Sequence, residues 1–275
     1  MRRAYADGRF GQIHYQYAPA DQCAPDARPV VLMHQAIMAS GQFDYVFAPL
    51  IAGGLRPIAI DMPGFGLSDA PATQPAIEDY ATCIAPVLDA LGIGRTALVG
   101  HHTGALVSTE FALAHPERVE ALVIHGPMIL SDEERAHWTA EICTRERAFR
   151  AEPEGAHLVN VAKIREFYAE GTISPDRITD YVVQAMQAYR MGAYAYGHAA
   201  AFAYEHTGPL GDIKVPTMLL SNTGDMTHPW AETAAKMFPH FAFAAVEGGG
   251  IDICDQAPDA WAGHIVDFVR KVAQG

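Results

Sequence analysis

The sequence predicts an alternating α/β fold, a largely parallel sheet flanked by helices. The runs PVVLMH, RPIAID, TALVG, ALVIHG and PTMLLSN are continuously apolar, as strands buried on both faces must be. Between them lie longer segments whose apolar residues recur every three or four positions, the signature of amphipathic helices. The chain has 275 residues, 50% of them hydrophobic and 19% charged, enough apolar material for one large core.

In chain order, GRFGQIHYQYA alternates apolar and polar residues like a half-exposed strand, and AFAAVEG near residue 245 reads as the last strand. FDYVFAPLIAG, EDYATCIAPVLDALG, GALVSTEFALAHP, WAETAAKMF and DAWAGHIVDFVRKVA are the crossover helices. The alternation fails between about Pro127 and Asp212, a stretch dense in charge, alanine and aromatics with helical periodicity only. It reads as a helical insertion, residues 127–212, within a core domain formed by 1–126 and 213–275. Because it follows a strand end, it is placed as a lid over the ligand site, with a solvated helical decoration as the other reading.

Composition excludes several functions. Nineteen Lys and Arg against 32 Asp and Glu give a net charge of −13, which repels nucleic acid and anionic membranes. No apolar run is long enough to span a membrane, and the two N-terminal arginines have no apolar segment behind them, so a soluble cytoplasmic protein is expected. Cys23, Cys83, Cys143 and Cys254 lie far apart, as reduced, mostly buried thiols do. The expected partner is a small molecule, the oligomeric state a monomer or homodimer.

The order of these signals resembles the α/β-hydrolase superfamily over nearly the whole chain outside the insertion. VVLMHQ resembles the strand and turn that supply part of the family's oxyanion hole, with Gln35 where glycine is usual and Ala36 at the inward-pointing amide. IAIDMPGFGLSD, residues 58–69, resembles the family's Asp-x-Pro-Gly-x-Gly-x-Ser turn. VGHHTGA falls where Gly-x-Ser-x-Gly belongs, with Gly100 and Gly104 in place. His102 stands at the nucleophile's position, and Thr103 follows as the second oxyanion amide. SNTGDMTHP puts Asp225 at the family's acid. Counting back seven residues from Pro258 lands on Ile251 where the family has its histidine. The resemblance implies a single α/β-hydrolase domain: a mostly parallel sheet of about eight strands, helices on both faces and a helical cap.

Two of three triad members differ, so serine-hydrolase chemistry does not transfer. An imidazole is longer than a serine side chain and from the elbow can reach the volume that Ile251 leaves without a competing ring. His102 is therefore expected to act as a general base oriented by Asp225, with Ala36 and Thr103 amides as oxyanion donors, commonly worth about 3–4 kcal/mol each. Such a base can activate water for ester, lactone or C–C bond hydrolysis, or abstract a proton as in lyase, cyclase or cofactor-free oxygenase chemistry. Direct attack by the imidazole ranks third. No cofactor is implied. A fold that lost both residues can also have kept only a ligand cavity, and that non-catalytic reading stands beside the enzymatic one.

Thirteen histidines invite a metal reading, yet adjacent His101 and His102 point in different directions and no His-Glu-x-x-His spacing occurs, so no metal is expected. His34 either lines the pocket or satisfies backbone groups beneath it. His125 ends a strand where some family members carry an alternative acid and is placed at the pocket, together with His101, His228 and Ile251. His228 either competes for Asp225 or caps a turn, and Gln35 either donates into the pocket or meets solvent. In residues 189–206, Tyr189, Tyr194, Tyr196, His198, Phe202 and Tyr204 divide between lid core and cavity wall, and aromatic walls with polar tips suit an aromatic ligand.

Overall fold

The computed structural model describes residues 1–274. The strands are β1 (Arg2–Gly8), β2 (Gly11–Tyr17), β3 (Arg28–Met33), β4 (Leu55–Ile60), β5 (Thr96–His101), β6 (Val119–His125), β7 (Thr217–Asn222) and β8 (Ala242–Val246). They form one sheet in the order β1-β2-β4-β3-β5-β6-β7-β8. The β1–β2 and β2–β4 pairs are antiparallel and the other pairs parallel. The continuously apolar runs are buried on both faces: Val31 and Met33 face one core cluster, Val30 and Leu32 the other.

The sequence reading found one N-terminal strand; the structure has a hairpin. β1 is an edge strand with mostly exposed residues, so it carries little of the apolar pattern that reveals a strand. EDYATCIAPVLDALG folds as two helices, α2 (Ile77–Ala81) and α3 (Ile84–Ala90), preceded by α1 (Phe47–Ala52). Pro86 causes the break, because it has no N–H to give the carbonyl four residues earlier.

Helix α4 (Thr103–Ala114) follows β5 directly and is buried along most of its length. Between β6 and β7 the chain is helical: α5 (Asp132–Trp138), α6 (Thr144–Ala148), α7 (Ala156–Ala169), α8 (Pro175–Arg190), α9 (Tyr196–Ala203) and α10 (Thr207–Asp212). α11 (His228–Met237) follows β7, and α12 (Ile253–Gln256) and α13 (Pro258–Gln274) close the chain. Among the described residues, no helix is long and apolar enough to cross a membrane.

Buried ions tie the helical segment to the sheet. Arg177 of α8, 3% exposed, donates from Nε to Asp255 Oδ1 at 2.8 Å and from Nη2 to the Gly41 carbonyl at 2.7 Å. Tyr181 donates to the other oxygen of Asp255. Arg165 of α7 pairs with Asp252, beside Ile251. Two unpaired charges there would be costly, so these pairs fix where the helices sit over the strand ends.

Candidate active site

The turn from β5 into α4 is drawn tight by its glycines. A Cβ on Gly100 would lie 2.1 Å from the Gly104 carbonyl oxygen, and one on Gly104 would lie 2.0 Å from the Met33 carbonyl oxygen. Between them His102 adopts φ 48° and ψ −111°, left-handed backbone that a non-glycine residue holds only when its surroundings enforce it. Its N–H donates to the His125 carbonyl at 2.8 Å. The elbow thus lifts the imidazole above the sheet.

His102 Nε2 and Asp225 Oδ2 are 3.0 Å apart. Asp225, on the turn after β7, accepts at Oδ1 from both the N–H and the hydroxyl of Thr227, each at 2.7 Å. Burial alone would raise this carboxyl's pKa, but the charge and hydrogen bond of His102, with the Thr227 amide, outweigh it and hold the pKa well below the usual range. A carboxylate at Oδ2 is acceptor-only, so Nε2 carries the proton in the neutral ring and Nδ1 keeps its lone pair. Nδ1 has no hydrogen-bond partner among the described residues. Gly126, at φ +73°, makes room for the ring: a Cβ there would lie 2.3 Å from His102 Cδ2.

Above the elbow lie two adjoining lobes, one of about 160 Å³ and one of about 80 Å³. His102, Ala36, Ile142, His198 and Met226 border both lobes. Gln35 and Ile251 line the larger lobe, Thr103 the smaller. The helical segment supplies Glu146, Phe149, Arg165 and Tyr194, with Phe149 and Tyr194 stacked at 4.5 Å between centroids. The cavity walls are largely apolar and aromatic.

Four histidines expected at the pocket do not border it. His34 is fully buried beneath the oxyanion turn, donating from Nδ1 to the Gln35 carbonyl at 2.8 Å and accepting the Met62 N–H on Nε2 at 2.9 Å. His125 is closed off by Trp261, whose indole N–H donates to Nδ1 at 2.7 Å, and by Asn222 Oδ1, 2.9 Å from Nε2. Burial pushes its pKa down to about 4. His101 lies below His102 with its Nδ1 against the Gln42 amide, and burial holds it neutral. His228 turns away to Ser221 Oγ at 3.0 Å and leaves Asp225 to His102.

Ligating atoms of His101, His125 and Asp225 lie within 4.8 Å of one another, the geometry of a conceivable metal site. The chemistry of this set does not fit one. Both His125 nitrogens are engaged by Trp261 and Asn222, and Asp225 is committed to His102 and Thr227.

Gln35 meets neither solvent nor an open pocket alone. Its amide donates to the Ile251 carbonyl at 3.1 Å, and its N–H is held by Gln42 Oε1 at 3.0 Å. Asn222 donates to the carbonyls of Gly248, Gly249 and Gly250 at 3.3, 2.8 and 3.1 Å, fixing the turn before Ile251. Sequence reasoning missed Gln42, which also meets His101 59 residues on, and Asn222, whose partners lie 26 or more residues away. The Ala36 N–H points at Thr103 Oγ1, 3.4 Å away. The Thr103 N–H, first in its helix, has no intrahelical acceptor.

A fold and site of this kind define an α/β-hydrolase architecture with a histidine on the elbow. The chain belongs to the alpha/beta hydrolase fold family, whose model matches residues 29–255. It is 29% identical over 260 residues to a non-heme chloroperoxidase from Streptomyces lividans, covering 90% of this chain and 93% of that one. It is 35% identical over 119 residues to a 2-hydroxy-6-oxononadienedioate/2-hydroxy-6-oxononatrienedioate hydrolase from Pseudomonas putida, covering 42% of this chain and 40% of that one. Among solved structures, a thermophilic esterase from Thermogutta terrifontis superposes with a TM-score of 0.77 at 20% identity over 99% of both chains, a likeness of fold.

Proposed function

We propose that the protein is a cofactor-independent enzyme acting on a small carbonyl compound, with His102 as general base and Asp225 as the group that orients it. The observation that carries this reading is the 3.0 Å contact between His102 Nε2 and Asp225 Oδ2, which leaves Nδ1 unpartnered beside the cavity. Nδ1 takes a proton from water, and the water oxygen adds to the substrate carbonyl. Alternatively it removes a proton next to the carbonyl, the first step of lyase, cyclase or oxygenase chemistry. Oxyanion donors are the amides of Ala36 and Thr103, with the substrate oxygen replacing Thr103 Oγ1 as the acceptor of the Ala36 N–H. Hydrolysis leads because a relative named as a hydrolase is 35% identical over 119 residues, 42% of this chain. The helices between β6 and β7 serve as the lid, and the Phe149–Tyr194 stack favours an aromatic substrate.

The test is a panel of aryl esters, lactones and 1,3-diketones assayed with wild type, His102→Gln and Asp225→Asn. Loss of a general base predicts a fall of roughly 10²–10⁴ in rate for His102→Gln. Undiminished turnover in that variant overturns the reading. Tight binding of the same compounds without turnover replaces it with the non-catalytic, ligand-binding reading.

A further inference from the structure

A second histidine–carboxylate pair stands on the same cavity, on the helical segment. His198 Nδ1 lies 2.7 Å from Glu146 Oε1, and the Glu146 side chain is 9% exposed. His198 lies in the first turn of α9 next to Gly197, and a Cβ on Gly197 would lie 2.6 Å from the Ala36 Cβ. The missing side chain therefore seats α9 directly against the turn that carries the Ala36 amide. The ring is also stacked on Phe202, with centroids 6.0 Å apart and planes inclined by 16°. With Nδ1 given to Glu146, Nε2 has no hydrogen-bond partner among the described residues, and His198 borders the same two lobes as His102.

We propose that His198, held by Glu146, is a general acid that faces the His102 base across the cavity and gives a proton from Nε2 to the substrate's departing oxygen. This rests on the proposed role of His102 and extends it. In ester hydrolysis, His102 Nδ1 takes one proton of the attacking water while the water oxygen bonds to the carbonyl carbon. As the carbon–oxygen bond to the leaving group breaks, the electron pair goes to that oxygen and the His198 proton follows. Acid and alcohol result, and one proton passed through solvent from His102 to His198 restores both rings.

The surroundings suit an acid. Burial works against a charged ring, but the charge and hydrogen bond of Glu146 outweigh it, and His198 titrates above its ordinary value. Arg145 on α6 and Arg165 on α7 oppose this, and Tyr168, Tyr194 and His102 are the other titratable groups that share the larger lobe. One remaining acceptor, Glu146 Oε2, is buried without a partner and holds the carboxylate ready for a second donor. Sequence reasoning placed His198 only among the aromatic residues of the lid, because nothing local announces a partner 52 residues away.

The experiment needs no turnover. 2,4-Dinitrophenolate, ionised between about pH 6 and about pH 9, mimics the departing oxygen, and its binding is followed by absorbance in wild type, His198→Asn, Glu146→Gln and His102→Gln. The proposal expects wild-type affinity to fall at least about tenfold as pH rises through the His198 titration, a change absent in His198→Asn and shifted to lower pH in Glu146→Gln. His102→Gln should keep it. A pH-independent affinity, no binding, a titration that survives in His198→Asn, or one that vanishes only in His102→Gln overturns the proposal. For hydrolysis, His198→Asn should slow phenyl acetate at least about tenfold more than 4-nitrophenyl acetate, whose good leaving group needs little protonation. Equal slowing of both esters counts against the acid, whereas a wild type inert to both counts against His102 as base and leaves the phenolate titration to decide His198.

Discussion

Lowering the pH from about 7 to about 5 should destabilise this fold steeply, because it buries neutral imidazoles that an unfolded chain would protonate. His34, His101, His125 and His206 are fully buried. Desolvation lowers the pKa of each, His125 to about 4 and His206 to about 3 from an ordinary 6.5. Each stays neutral in the fold while the unfolded chain takes up a proton below pH 6.5, so their stability is complete above that value and drains as pH falls toward the folded pKa. Carried through, His125 alone costs about 3 kcal/mol and His206 about 5 kcal/mol. Asp255 works the other way, since burial raises its carboxyl to about 6 and the fold holds that proton where the unfolded chain does not. Near pH 5.5, His125 and His206 each take up nearly one proton on unfolding and Asp255 gives up most of one, a net slope of at least about 1.4 kcal/mol per pH unit that His34 and His101 steepen. Urea unfolding at half-unit pH steps measures it, and His206→Gln should lower the slope by about 1.4 kcal/mol per pH unit. Its partners are Thr109 Oγ1 at 2.9 Å and the Met128 N–H at 3.3 Å, away from the dyad. A wild-type slope below one proton, or an unchanged slope in His206→Gln, refutes the linkage.

Gly126→Ala sets a methyl group against the His102 ring at a left-handed backbone position. It should reduce turnover about as much as Asp225→Asn while cooperative unfolding in urea persists. Arg177→Met strips the buried Asp255 of its cation and should cost about 3–5 kcal/mol, read as a fall in the urea midpoint. Fluorophosphonates should leave no covalent adduct by intact mass, since no serine stands at the elbow. His102→Ser should not create an esterase, because Ile251 offers that serine no base.

What the sequence showed and hid has a physical pattern. The parallel strands were legible because residues such as Val30 to Met33 are apolar on both faces, whereas β1, an exposed edge, carries no such pattern. His102 and Asp225 were found 123 residues apart because a tight strand–helix elbow and a strand-end turn each demand local glycines and spacing. The roles of His34, His125 and His228 were not legible, because strand-end position puts a histidine near a site without saying which way the ring turns. Trp261, Asn222, Met62 and Ser221 decide that, and each is brought there by the fold. The Glu146–His198 pair was hidden for the same reason, on helices whose periodicity says which face is apolar but not what crosses the cavity.

Nitrogen-15 NMR of the histidine rings at about pH 8 tests the central claim most directly, because it reads which nitrogen of neutral His102 carries the proton. The account predicts the Nε2–H form, with Nδ1 unprotonated toward the cavity, and a loss of that preference in Asp225→Asn. A wild-type ring protonated at Nδ1, or one indifferent to Asp225→Asn, would contradict it, because the cavity would then face no base.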